Sequence, residues 1–265
     1  MIERPVSVVC EIVLILSCLF SIRHVYHHTY RSGSPLFQFP ALGWLFGFCL
    51  IGLGALLGAL CYSNMFQLVI LDRDLHFYHR MISRFAGYFG AMNIALASFL
   101  SIAAPLHFVT SSGKVNSLLQ RFVPVGLCLL FAIVQYLDWY GMGAVALIDV
   151  RLLDMMHCRV MVGDFVRFGP AIAMVFLLVW SCYNLLSGSV SGIRKSKSQY
   201  LVAAILLFAI SDHIAHSTFQ LSMNGLKFHS SGCVGCRSLV LEPVDMFHLG
   251  VAAAVYCFAN VAWPM

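Results

Sequence analysis

The side chains in this 265-residue chain that can do chemistry are its eleven histidines and eleven acids. Residues three or four apart share one face of an α-helix. Four groups meet that rule: His24-x-x-His27-His28, His76-x-x-His79 preceded by Asp72, Asp212-His213-x-x-His216, and Asp245-x-x-His248. Neutral imidazole and carboxylate are ligands for zinc or another divalent metal, and three such ligands leave a position for an activated water. The same pair relays protons, because imidazole titrates near neutrality. Two imidazoles on facing helices also form the axial ligand set of a haem. The plain alternative is a set of interhelical hydrogen bonds and interfacial histidines.

Composition says what kind of element must hold these groups. The chain is 60% hydrophobic and 10% charged, against about 45–50% and about 25% in a soluble domain. That excludes disorder, argues against a soluble globular domain and points to an all-α polytopic membrane protein. Twenty glycines and 21 phenylalanines fit closely packed membrane helices. A span takes about 20 mostly apolar residues.

Seven candidate spans follow: Pro5 to about Ile22, Ala41–Met65, His76–Ala104, Phe122–Leu137, Asp164–Leu186, Tyr200–Leu221 and Leu239–Trp263. A cleaved signal peptide competes for the first. It lacks a small-x-small cleavage site, and Glu3 precedes the lone Arg4, so a retained helix is expected. The second span carries Gly54-x-x-x-Gly58, a candidate close-packing face. The segment Asp138–Gly163 alternates apolar residues with Asp149, Arg151, Asp154, His157 and Arg159. It is too polar to face lipid and is expected as a surface helix or re-entrant piece. Asp138-Trp139-Tyr140 reads as an interfacial belt. No internal repeat or boundary interrupts residues 1–265, which are expected to form a single transmembrane domain.

Threaded through seven spans, the odd-numbered connections hold Arg23, Arg31, Lys114, Arg121, Arg194, Lys195 and Lys197, and no acid. The opposite side takes the remaining nine cations and all eleven acids, a split of +7 against −2. Two of those nine, Arg80 and Arg84, lie inside the third span, and three more belong to or flank the polar segment. The positive-inside rule then favours cytoplasmic odd connections. The N-terminus is expected outside or in the lumen, and the C-terminus in the cytoplasm. Arg194-Lys195-Ser196-Lys197 is the one basic run, so no nucleic-acid partner is expected.

The same threading sends the last three histidine groups to one side. An ionisable residue inside a bilayer usually faces the bundle interior or a water-filled cavity. The third, sixth and seventh spans are therefore expected to converge on a site in the non-cytoplasmic half. Asp212, His213, His216 and His248 are its candidate bases. His76, His79, His213, His216, Asp245 and His248 are its candidate metal ligands, for zinc or another divalent ion. His157 and His229 lie in connections on that side. Glu11, about a turn and a half inside the first span, reads as a proton or cation site or as a carboxylate reaching the interface.

The His24-x-x-His27-His28 group resembles one histidine box of the membrane desaturases and hydroxylases. Those enzymes gather their boxes on one membrane face, whereas here a span separates His28 from His76. Solvated interfacial residues are the better reading. The span count and the His/Asp mixture are similar to the superfamily of seven-span zinc hydrolases that includes the alkaline ceramidases. The two histidines four apart on the last helix of that superfamily are absent, and membership is not assigned. The seventh span carries no lysine, which excludes a retinal Schiff base there. Cys233-Val-Gly-Cys236 reads as a local disulfide in preference to half of a zinc site.

Three functions fit. The first is a metal-dependent enzyme acting on a membrane-embedded lipid substrate. The second is a proton- or cation-coupled transporter or channel component. The third is a non-enzymatic receptor, scaffold or subunit that docks partner membrane helices.

Overall fold

Long apolar runs in lipid must satisfy their backbone polar groups within the segment, and the α-helix does so. The structure is a computed structural model that describes residues 5–31, 41–63, 69–70, 73–103, 133, 146–152, 156–187, 191–216 and 243–262. Its helices are α1 (Pro5–Arg31), α2 (Ala41–Ser63), α3 (Leu75–Phe85), α4 (Ala91–Ala103), α5 (Val162–Leu186), α6 (Gly192–His216) and α7 (Pro243–Val261). A π-helical turn, Ala86–Gly90, joins α3 to α4. Pro5 and Pro243 occupy first-turn positions, where no backbone donor is lost. Pro170 lies inside α5, where it removes one hydrogen bond from the ladder. The helix α1 continues past Ile22, so His24, His27 and His28 are helical.

Two short hairpins complete the described elements. The strands β1 (Val69–Ile70) and β2 (Arg73–Asp74) pair just before α3. The strands β3 (Ala146–Leu152) and β4 (Met156–Met161) pair antiparallel, with Asp149 opposite Arg159 and Arg151 opposite His157. Over Ala146–Leu152 and Met156–Met161 these strands correct the expectation of a surface helix; residues 138–145 and 153–155 of that segment lie outside the described residues. Ile148, Val150 and Leu152 alternate with Asp149 and Arg151, which is the two-residue period of a strand. Apart from residue 133, the expected fourth span lies outside the described residues, as do Asp72, His229, Cys233 and Cys236.

The helices close a ring. The helix α1 packs between α2 and α7; α7 then meets α6, α6 meets α5, α5 meets α4, and α4 returns to α2. Their directions follow from contacts at two or more levels. Gly52 lies against Cys18 and Gly58 against Glu11, so α2 runs antiparallel to α1. Gly58 meets His79 while Gly47 meets Ile94, so α3 and α4 run antiparallel to α2. Ser17 Oγ donates to the Ala252 carbonyl (2.7 Å) and His248 lies beside Glu11, so α7 runs parallel to α1. The starts of α1, α3 and α7 and the end of α2 therefore share one end of the bundle.

The interior of the bundle is an apolar core that also takes in polar groups. Trp44, Phe48, Ile94, Leu201 and Val255 are buried, but so are Glu11, Asp245, Ser98, Ser181 and Asn184. Large apolar side chains such as Leu16, Leu53, Ile172, Val179 and Ile210 face outward. Three helices, Pro5–Thr29, Ala41–Ser63 and Val244–Val261, are long and apolar enough to cross a membrane by length and composition. The helical architecture is that of an integral membrane protein.

Candidate functional site

Glu11 lies six residues into α1, about 9 Å along its axis, and is the sole acid on that helix. Its side chain is 1% exposed, and neither carboxylate oxygen takes part in a hydrogen bond. Gly58 makes its room. A Cβ at that position would overlap the Glu11 carboxylate and would stand 3.1 Å from His79 Nε2. The missing side chain on α2 thus lets the acid of α1 approach the imidazole of α3. On the other flank, His248 Nδ1 lies 3.5 Å from Glu11 Oε1. Asp245, one turn earlier on α7, is fully buried and within electrostatic reach of Glu11 and Cys10. His79 is held edge-on against Tyr62, with ring centroids 5.9 Å apart.

The result is a carboxylate between two imidazoles from two other helices. It opens onto a cavity of about 110 Å³ at the centre of the ring, lined by residues of α1, α2, α3, the π-helical turn, α4, α6 and α7. A buried water needs about 10–15 Å³ of such space, so several would fit. Apart from Glu11, His79, His248 and Ser83 the described lining residues are apolar or glycine. A mostly apolar concavity with a few convergent polar groups is the usual form of a small-molecule site. The π-helical turn borders it through Ala86 and Gly87, and such turns recur at functional sites.

The expected site residues divide. His79 and His248 meet in this cluster, with Asp245 behind them. His76 lies on an exposed face of α3, and Asp212 and His213 lie on an exposed face near the end of α6. His216 closes α6, and its side chain is outside the described residues, as is that of His157 on β4. Glu11 becomes the centre of the cluster. The signal for it in the sequence is a single acid in an apolar 27-residue helix. His24 and His28, with rings 4.7 Å apart, lie thirteen and seventeen residues beyond Glu11 on α1, about 20 and about 25 Å along its axis.

Glu11, His79 and His248 are chemically a carboxylate and two imidazoles, a donor set that zinc accepts. Among the described residues, however, no group of three His, Cys, Asp or Glu side chains is placed to hold a metal ion. The arrangement is instead suited to acid–base work, since a carboxylate beside an imidazole can pass a proton to or from a bound group. No protein family, curated protein or solved structure matches the chain.

Proposed function

We propose that this chain is a seven-span membrane enzyme that admits the polar end of a membrane-dissolved lipid to its central cavity. Glu11, His79 and His248 there act as the proton-exchanging groups, and Asp245 sustains the negative field behind them. The observation that carries this reading is the Glu11 carboxyl itself. It is almost completely buried, accepts no hydrogen bond, and faces a cavity between two imidazoles. An uncompensated buried charge costs several kcal/mol, so a carboxyl kept in such a place argues for a function. The seven-span threading has support in the common direction of α1, α3 and α7, the expected first, third and seventh spans. The charge split supports a cavity in the non-cytoplasmic half, with the N-terminus outside or luminal and the C-terminus cytoplasmic.

The test is conversion of lipid. Purified protein reconstituted in vesicles of total membrane lipid is expected to deplete one lipid species, followed by mass spectrometry. Glu11→Gln and His248→Ala are expected to remove that conversion. Lipid profiles that are identical with wild type, with the variants and with empty vesicles would overturn the reading. A second reading, a proton- or cation-coupled transporter component, draws on the two buried acids on adjacent parallel helices, Glu11 and Asp245. It predicts a Glu11-dependent flux across vesicles after a pH step.

A further inference from the structure

The walls of the central cavity have a specific electrostatic character. One face is the Glu11 carboxyl, with Asp245 adding a second buried acid within electrostatic reach. Among the described residues the lining contains no lysine or arginine. His79, His248 and Ser83 supply the other polar atoms. Phe208 on α6 and Phe247 on α7 add an aromatic wall, with ring centroids 6.4 Å apart in an edge-to-face arrangement. Leu14, Ile51 and Val251 make an aliphatic floor.

We propose that this cavity is the binding site of a membrane-soluble amine. The ammonium head pairs with Glu11 and lies against the faces of Phe208 and Phe247, and the hydrocarbon part lies along Leu14, Ile51 and Val251. The proposal rests on the polar-ligand site described above and names the class of ligand. Ring faces attract cations within about 6 Å of the centroid, and a carboxylate accepts charge-assisted hydrogen bonds that are roughly twice as strong as neutral ones. An anionic head would bring a further negative charge beside the Glu11 carboxyl, with Asp245 within electrostatic reach behind it and no lysine or arginine in the described lining to offset it. A neutral alcohol would hydrogen-bond to Glu11 without taking its proton, and so would form no ion pair with it.

Entry from lipid conserves charge. The free-base amine arrives with its lone pair and takes the proton of the Glu11 carboxyl. The O–H bond breaks as an N–H bond forms, leaving an ammonium–carboxylate pair and no net charge carried into the membrane.

The experiment uses the full chain in phosphatidylcholine nanodiscs, with n-hexylamine, n-hexanol and n-hexanoate as probes and the thermal unfolding midpoint as readout. Hexylamine is expected to raise the midpoint at a concentration at least tenfold lower than hexanol, and hexanoate is expected to have no effect. Glu11→Gln is expected to abolish the tenfold preference while leaving the hexanol response. Phe208→Leu, which retains the carboxyl, is expected to weaken the hexylamine response several-fold. It keeps the test decisive if Glu11→Gln does not fold. Equal responses to amine and alcohol in the wild type, or an amine preference that survives both substitutions, would overturn the amine site and leave the acid–base reading intact. No response to either probe would remove the ligand site itself, and both readings with it.

Discussion

Replacing Gly58 by alanine tests the central claim, that a missing side chain on α2 makes room for the acid of α1. The new Cβ would overlap the Glu11 carboxylate, stand 2.8 Å from its Cδ, and stand 3.1 Å from His79 Nε2. Overpacking of a filled interior costs about 1–3 kcal/mol, while Gly→Ala in a helix gains roughly 1 kcal/mol of propensity. Gly58→Ala alone is therefore expected to destabilise by about 0–2 kcal/mol. Once Glu11 is shortened to alanine, the clash with its carboxyl is gone and only the tight approach to His79 remains. In that background Gly58→Ala is expected to be neutral or to stabilise by up to roughly 1 kcal/mol. The two substitutions should thus be coupled by about 1–3 kcal/mol, in the sense that the double variant is more stable than the sum of the singles. Gly54→Ala is the internal control. Its nearest contacts are Ser83 Oγ at 3.6 Å and Ser83 Cα at 3.7 Å, ordinary van der Waals distances, so it is expected to be tolerated in both backgrounds. Equilibrium unfolding of the four cycle members in mixed detergent micelles gives the coupling directly. Equal effects of Gly58→Ala with and without the Glu11 carboxyl would refute the packing on which the site rests.

Ser17→Ala removes the hydrogen bond from α1 to the Ala252 carbonyl and is expected to cost about 0.6 kcal/mol, the usual worth of an interhelical bond in a membrane. Ser21→Ala, which removes a bond to the Ser17 carbonyl within α1, should be close to neutral in the same unfolding assay. In the lipid-conversion assay, His79→Ala and His248→Ala should lose most of the activity. Asp212→Asn and His213→Ala, on the exposed face of α6, should keep at least half. An equal loss in both pairs would move the site toward α6. Epitope tags at the two termini should be reached by antibody from opposite sides of intact cells; tags on one side would rule out an odd number of spans.

The helices were legible because apolar runs broken by proline and charge carry their own boundaries. The expected third span begins at His76 and α3 at Leu75; the expected fifth and α5 both end at Leu186. The hairpin of β3 and β4 was legible too, in the alternation of Ile148, Asp149, Val150, Arg151 and Leu152. The number of charges in that segment outweighed their period. The site was only half legible, and the reason is geometric. Helical spacing settles that His213 and His216, or Asp245 and His248, share a face; it leaves open which way that face points. The direction is fixed by contacts between residues far apart in the chain. Gly250 stands so close to Ser211 that a Cβ there would overlap the hydroxyl. This contact seats α7 against Ser211 of α6, while Asp212 and His213 next to it stay exposed. The Ser17–Ala252 bond seats α7 on α1 and brings His248 to Glu11. Glu11 was conspicuous as the one acid on α1, yet its role depended on Gly58, 47 positions away, a residue whose contribution is the side chain it lacks. The charge split gathers the acids and most of the histidines on one side of the threading. Packing between α1, α2, α3 and α7 then selected, from the acids and histidines gathered there, those that face one another.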